Sequence, residues 1–315
     1  MPFITDNNQL THLPQTMQTF LDNSQNFVSL YNNPLNCSNL KPHVWLLSDK
    51  AKYRDRVWGA RCHGTGDYLF ELQLYEGKCT LSDDNSSLHC VDIADHDFNI
   101  RQEVIFLQQI EGIPLESLRS LTVSNCNVIQ ISENVLAPVQ RVRLVNLANL
   151  NRIDSNAFGE GNTLQSLDIT GANNLQLTDI LSLVNKQINL QRLSLSLGNG
   201  KPHLLPKNAF AVLSHLESIE FVPSTYRIVS IGANVVARLS SLAYFGMSGI
   251  PISEIETGAF AGIAVNDQRL YLNLSTCGID ETKLRNRPFE GANRPINLDL
   301  SKSCIFVSVK KLLNN

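Results

Sequence analysis

The stretch 118-LRSLTVSNCNV-128 decides the fold. Its apolar residues fall at Leu118, Leu121, Val123, Cys126 and Val128, the pattern L-x-x-L-x-L-x-x-(N/C)-x-L. The frame recurs downstream. Copies begin at Val139 (VQRVRL), Leu164 (LQSLDI), Leu190 (LQRLSL), Leu216 (LESIEF) and Leu242 (LAYFGM), then at Arg269 (RLYLNL) and Pro295 (PINLDL) with a non-apolar first residue. Successive starts lie 21, 25, 26, 26, 26, 27 and 26 residues apart. One L-x-L arises by accident, whereas a sustained period is the mark of a repeat architecture.

Each L-x-L sends two side chains to one side of a short strand and the alternate residues to the other. A single repeat cannot bury its own apolar edge, but stacked neighbours bury a continuous core. The expectation is therefore an α/β-class leucine-rich-repeat solenoid. It would be a horseshoe with a parallel concave sheet and irregular or short helical segments returning outside. Those outer segments end in Phe158 (NAF), Phe210 (NAF), Phe260 (GAF) and Phe289 (RPF), which are expected to stack as a second apolar column. The slot that usually holds Asn reads Cys126, Leu147, Ala172, Gly198, Ser224, Ile250, Cys277 and Ser303. The buried Asn ladder is thus mostly missing, and Asn149, Asn173 and Asn199 are candidate substitutes for its backbone hydrogen bonds. Cys126 and Cys277 read as buried core thiols.

The N-terminal region keeps the frame. FITDNNQLTHLP places Phe3, Thr5, Asn8, Leu10 and Leu13, and VSLYNNPLNC follows with Val28, Leu30, Asn33 and Leu35. After these come Trp45-Leu46, VWGARC ending at Cys62 and LFELQLYEGKC ending at Cys79. Residues 28–79 resemble the C-terminal cysteine-rich cap of extracellular leucine-rich-repeat proteins, matching it at Asn33, Pro34, Cys37, Trp45, Cys62 and Cys79. Asn39 stands where that cap has its second cysteine. The resemblance implies a Cys37–Cys62 bond and leaves Cys79 without its usual partner. CTLSDDNSSLHC, from Cys79 to Cys90, resembles the opening of an N-terminal cap and offers Cys90 instead. A Cys37–Cys79 bond, or four reduced thiols, are the alternatives. With seven cysteines, at least one has no partner within the chain.

Three segments follow from this reading. Residues 1–79 are the last repeats and closing cap of a first unit. Residues 80–117 are an N-terminal cap-like segment. Residues 118–315 are a second array of about eight repeats without a closing cap. MPFITDNNQ has no signal-peptide character, so both ends are expected to be cut from a longer secreted protein.

Composition narrows the function. The chain is 43% hydrophobic and 17% charged, which suits a globular protein, and its net charge of -3 with no basic block argues against nucleic acid. No apolar run is long enough to span a membrane. There is no G-x-S-x-G, Walker loop, H-E-x-x-H or zinc spacing, and GTGDYLFE at Gly64 lies within the cap. His12, His43, His63, His89, His96, His203 and His215 are scattered and read as surface or cap residues. No catalytic residue, metal site or cofactor is expected.

The period-two alternation does name a surface. One outward column reads Thr122, Arg143, Asp168, Ser194, Glu220, Gly246, Asn273 and Asp299. The other reads Ser120, Arg141, Ser166, Arg192, Ser218, Tyr244, Tyr271 and Asn297. Arg and Tyr are favoured interface anchors, so Arg141, Arg143, Asp168, Arg192, Glu220, Tyr244, Tyr271 and Asp299 are the candidate partner-binding residues. An ordinary solvated sheet is the competing reading for each. Sequons stand at Asn36, Asn85 and Asn273, and a glycan on Asn273 would obstruct this face.

The AF outer segments, the degenerate ladder and the cap around VWGARC are similar to arthropod extracellular repeat proteins, in particular the family of the oplophorus-luciferin 2-monooxygenase non-catalytic subunit. That resemblance implies a secreted scaffold whose partner is a separate enzyme. The alternatives are part of a cell-surface receptor ectodomain for adhesion or innate immune recognition, and an enzyme in its own right.

Overall fold

The computed structural model describes residues 2–4, 6–37, 41–71, 78–95, 98–109, 115–137, 139–160, 163–172, 174–196, 202–223, 227–263 and 268–303. Thr5, Asn39, His96, Asn173, Gly198, Asn199 and Ser224, each named above, lie outside them. The chain divides into two compact units, Met1–Lys78 with Gln102–Leu115, and Cys79–Arg101 with Glu116–Asn315. Of residues 80–117, Gln102–Leu115 group with the first unit and the rest with the second.

In the first unit, β1 (Pro2–Ile4), β2 (Phe27–Ser29) and β3 (Val57–Trp58) form a parallel sheet, with Phe3 opposite Val28 and Val28 opposite Val57. The helix Gln15–Asp22 returns the chain from β1 to β2 and buries Met17 and Leu21. A short helix, Val44–Ser48, adds Trp45, Leu46 and Leu47 to the same core, which also holds Leu13, Leu30, Leu35 and Tyr53. A disulfide joins Cys37 to Cys62, beside a parallel bridge between Leu35 and Cys62. Asn33 is buried in the ladder slot. Its Oδ1 accepts from the backbone N–H of Asn8 and Leu10, and its Nδ2 donates to the Leu30 carbonyl.

The main sheet of the second unit runs in strict chain order. Among the described residues its strands are β4 (Thr80–Leu81), β5 (Ser87–Val91), β6 (Ser120–Ser124), β7 (Arg141–Val145), β8 (Ser166–Thr170), β9 (Arg192–Ser196), β10 (Ser218–Phe221), β11 (Tyr244–Gly246), β12 (Leu270–Asn273) and β13 (Ile296–Asp299). Only the β4–β5 pair is antiparallel, and a Cys79–Cys90 disulfide closes it. β5 is itself a strand of the repeat sheet, with Leu88 opposite Leu121 and Cys90 opposite Val123. The inward residues Leu121, Val142, Leu167, Leu193, Ile219, Phe245 and Leu272 are all buried. A large parallel sheet of L-x-L strands over a continuous apolar column is the build of a leucine-rich-repeat solenoid.

Phe158, Phe210 and Phe260 are fully buried in the returning segments, and Phe260 stacks on the half-buried Phe289 at 5.4 Å. Those segments depart from the expected irregular or helical form. Pro202–Leu205, Arg227–Ile231 and Ile252–Ile255 make a second parallel sheet, and Gln130–Ile131 pairs with Arg152–Ile153. One return is helical, Leu177–Val184, and it buries Leu177, Ile180, Leu181, Leu183 and Val184.

The ladder slot also departs from expectation. Asn149 does not replace the missing asparagines, because it is exposed and donates to Asn127 Oδ1 instead. Cysteines do the work in two repeats: Cys126 Sγ donates to the Cys90 carbonyl at 3.2 Å, and Cys277 Sγ to the Met247 carbonyl at 2.9 Å. Leu147, Ala172 and Ile250 fill the slot with buried apolar groups. A second polar ladder runs along the strand ends. Asp92, Asn125 and Asn146 adopt positive φ, and Asn146 donates to Asn125 Oδ1 while Asn125 donates to Asp92 Oδ1. Asn tolerates that left-handed backbone because its side chain bonds locally.

His203 is buried rather than at the surface, and His43, in the cap region, is buried as well; burial pushes both imidazoles below their ordinary pKa. No described helix is long and apolar enough to cross a membrane.

Candidate protein-binding face

The sheet of the second unit has one face packed on the core and one facing solvent, and its register aligns the solvent residues in two columns. Ser120, Arg141, Ser166, Arg192, Ser218, Tyr244, Tyr271 and Asn297 are successive partners in the first. Thr122, Arg143, Asp168, Ser194, Glu220, Gly246, Asn273 and Asp299 are successive partners in the second. β5 extends the columns with Ser87 and His89, which reading from Leu118 onward leaves out.

The face has two chemically distinct halves. On β7 to β9 stand Arg141, Arg143 and Arg192, all exposed, with Asp168 as the one acid. Arg143 Nε lies 3.2 Å from Asp168 Oδ2. Asp168 Oδ1 is enclosed and has no hydrogen-bond partner among the described residues. Arg141 and Arg192 form no ion pair among the described residues.

On β10 to β13 the charges are Glu220 and Asp299, and the rings are Tyr244 and Tyr271. The two rings stack with centroids 5.8 Å apart and planes 14° from parallel. Tyr244 lies down over Gly246, where an added Cβ would come 2.7 Å from the ring. Only a glycine on β11 leaves that room. Tyr271 is 40% exposed, and its hydroxyl donates to Asp299 Oδ2 at 3.3 Å. Partial burial, with Asp299 second, pushes the Tyr271 phenol up. The Ser301 N–H and hydroxyl hold Asp299 below the usual carboxylate range. Both groups therefore keep their ordinary charge states around neutrality, a neutral phenol beside an anionic carboxylate.

The sequons occupy different settings. Asn85 is exposed at a turn with φ 58°, and Asn36 is exposed beside the Cys37–Cys62 bond. Asn273 is half-buried on the sheet face, and its Oδ1 accepts from the Ser275 N–H and hydroxyl.

A second exposed feature belongs to the first unit and was not legible beforehand. Tyr31, Trp58 and Tyr68 are 52%, 45% and 41% exposed and line a shallow recess with Arg54. Each ring is held by a neighbour: Tyr31 rests on Gly59, Trp58 packs against Phe27 at 4.7 Å, and Arg61 lies 3.6 Å over Tyr68. The clue was the density of aromatics between Phe27 and Tyr68, of which the cap resemblance drew on Trp45 alone.

No described group of three or more His, Cys, Asp or Glu is arranged to hold a metal ion. No protein-family model and no curated protein matches this chain. Among solved structures, human 5T4 (Wnt-activated inhibitory factor 1, trophoblast glycoprotein) overlaps 64% of this chain and 81% of its own at 14% identity, with a TM-score of 0.42. TLR13 in complex with ssRNA13 overlaps 96% of this chain and 50% of its own at 15% identity, with a TM-score of 0.39. These overlaps are loose, and what defines the fold is the repeat and its parallel sheet.

Proposed function

We propose that this chain is a non-catalytic, secreted protein-binding scaffold and that its solvent-facing sheet, taken as the concave side of a horseshoe, is the binding surface. The register is the observation that carries the reading. It brings three arginines and two tyrosines, from four strands spread over more than a hundred residues of sequence, onto one face. Such side chains supply most of the energy in protein interfaces. The Cys37–Cys62 and Cys79–Cys90 bonds support an oxidising compartment. The finer reading, that the partner is an enzyme which this subunit accompanies, rests on the resemblance of the outer segments and cap to the luciferin-monooxygenase subunit family.

The test is capture of the native protein from its source, with mass spectrometry of what it retains. One stoichiometric enzyme is the expected result, and its binding to the recombinant chain should be lost when Arg141, Arg143 and Arg192 are changed together to Glu. Turnover by the isolated chain would overturn the reading. Peptides running on into a membrane span, with no enzyme retained, would replace it with the receptor reading. Glycopeptide mapping adds a check. Asn85 is expected to be occupied and Asn273 free, because a glycan on Asn273 would cover the proposed surface.

A further inference from the structure

We propose that the half of this face built by β10 to β13 is a recognition site for a cationic side chain, a guanidinium or ammonium group carried by an Arg- or Lys-bearing segment of the partner. The proposal rests on the partner-binding reading above and specifies its chemistry.

Three observations converge. First, the Tyr244 and Tyr271 rings form a stacked slab at 5.8 Å, anchored at one end by the room over Gly246 and at the other by the bond to Asp299. A slab held this way is ready before a ligand arrives, and its ring faces carry negative potential that attracts a cation. Second, Glu220 and Asp299 flank the slab, opposite Gly246 and Asn273 respectively in the adjoining column. Three strand spacings put them roughly 14 Å apart, with the tyrosine strands between. Neither carboxylate has an ion pair among the described residues.

Third, the cationic residues of the two columns lie elsewhere, on β7 and β9. Arg269 stands at the entry to β12, its Nη1 3.5 Å from Asn297 Oδ1. Glu217 immediately precedes β10, and Arg294, just before β13, is buried with its Nε donating to the Gln268 carbonyl. An anionic ligand would face two carboxylates and two ring faces of the same sign. A cationic one gains from all four. The arginine half then receives acidic groups of the same partner, which fixes the direction in which the partner lies across the strands.

The probe is a tetra-arginine amide titrated into the full chain, with tetra-glutamate as the comparison and tyrosine fluorescence and calorimetry as readouts. Tetra-arginine is expected to bind, to weaken as salt rises, and to lose roughly fivefold or more in affinity in Tyr271→Ala. Glu220→Gln with Asp299→Asn should weaken it similarly, and Asn at 299 retains an acceptor for the Ser301 N–H. Arg192→Ala should leave it unchanged or tighter. Equal binding of tetra-glutamate, binding of a neutral oligosaccharide in preference to either peptide, or unchanged affinity in Tyr271→Ala would overturn the proposal. The two readings fail separately. If the captured partner is lost with the arginine changes but kept by Tyr271→Ala and by Glu220→Gln with Asp299→Asn, the face binds protein and the cation site falls. If tetra-arginine behaves as expected but no face change affects the partner, the cation site stands and the scaffold reading falls.

Discussion

Asn33 and Cys277 occupy the same slot of the repeat in different units, and they show how one backbone problem has two solutions. The Asn33 amide satisfies two N–H groups and one carbonyl of its neighbours. Asn33→Ala is expected to cost about 2–4 kcal/mol, since it leaves several buried backbone groups unmet, and chemical denaturation measures it. The Cys277 thiol donates one weaker bond, and burial pushes its pKa up to about 11. It should resist alkylation at neutral pH while the protein is folded and react promptly once it is denatured. His43 brings a pH dependence. Its imidazole is buried, and burial, outweighing a backbone hydrogen bond with Asn36, lowers its pKa from the ordinary 6.5. The unfolded chain therefore binds a proton that the folded chain refuses. Stability from this group is complete above about pH 6.5 and is lost as pH falls below it. A plot of melting temperature against pH should drop through that range, and His43→Leu should flatten the drop.

At the scale of the element, the alternation of each strand separates packing from recognition. Leu193 points into the core and Ser194 out of it. Leu193→Ala should cost about 2–5 kcal/mol, whereas Ser194→Ala should change stability by less than about 0.5 kcal/mol. Equilibrium unfolding of both variants checks this. The inward and outward columns were legible because a period of two within a period of about 26 leaves no freedom in register. The strand β5 was not, because it begins 33 residues before β6 and a cysteine fills one of its two apolar slots. The outer strands were hidden for a different reason. Gln130–Ile131 and Arg152–Ile153 are two residues each, too short for any alternation to register. They exist because the repeat already holds them side by side. The Tyr244–Gly246 packing was likewise invisible, since both positions were assigned outward but nothing in the spacing says that one ring lies across its neighbour.

For the whole molecule, each compact unit carries a disulfide of its own. The Cys37–Cys62 link spans 25 residues and the Cys79–Cys90 link 11, so chain entropy assigns them about 3.5 and about 3 kcal/mol respectively. Calorimetry should resolve two transitions, and Cys37→Ser with Cys62→Ser should lower only the one belonging to the first unit. The break in period after Cys79 falls beside the boundary of the first unit at Lys78. The assignment of Gln102–Leu115 to the first unit was not legible, since that segment carries no repeat frame.

The strict order of the sheet has a kinetic consequence. Every strand of the main sheet from β5 onward pairs only with the strands one repeat before and after it. The typical pairing therefore spans about 26 residues of 315, a relative contact order near 0.08, which is the range of helical bundles rather than of β-sandwiches. A ten-stranded sheet with so little long-distance search can nucleate at any adjacent pair and grow outward one loop closure at a time.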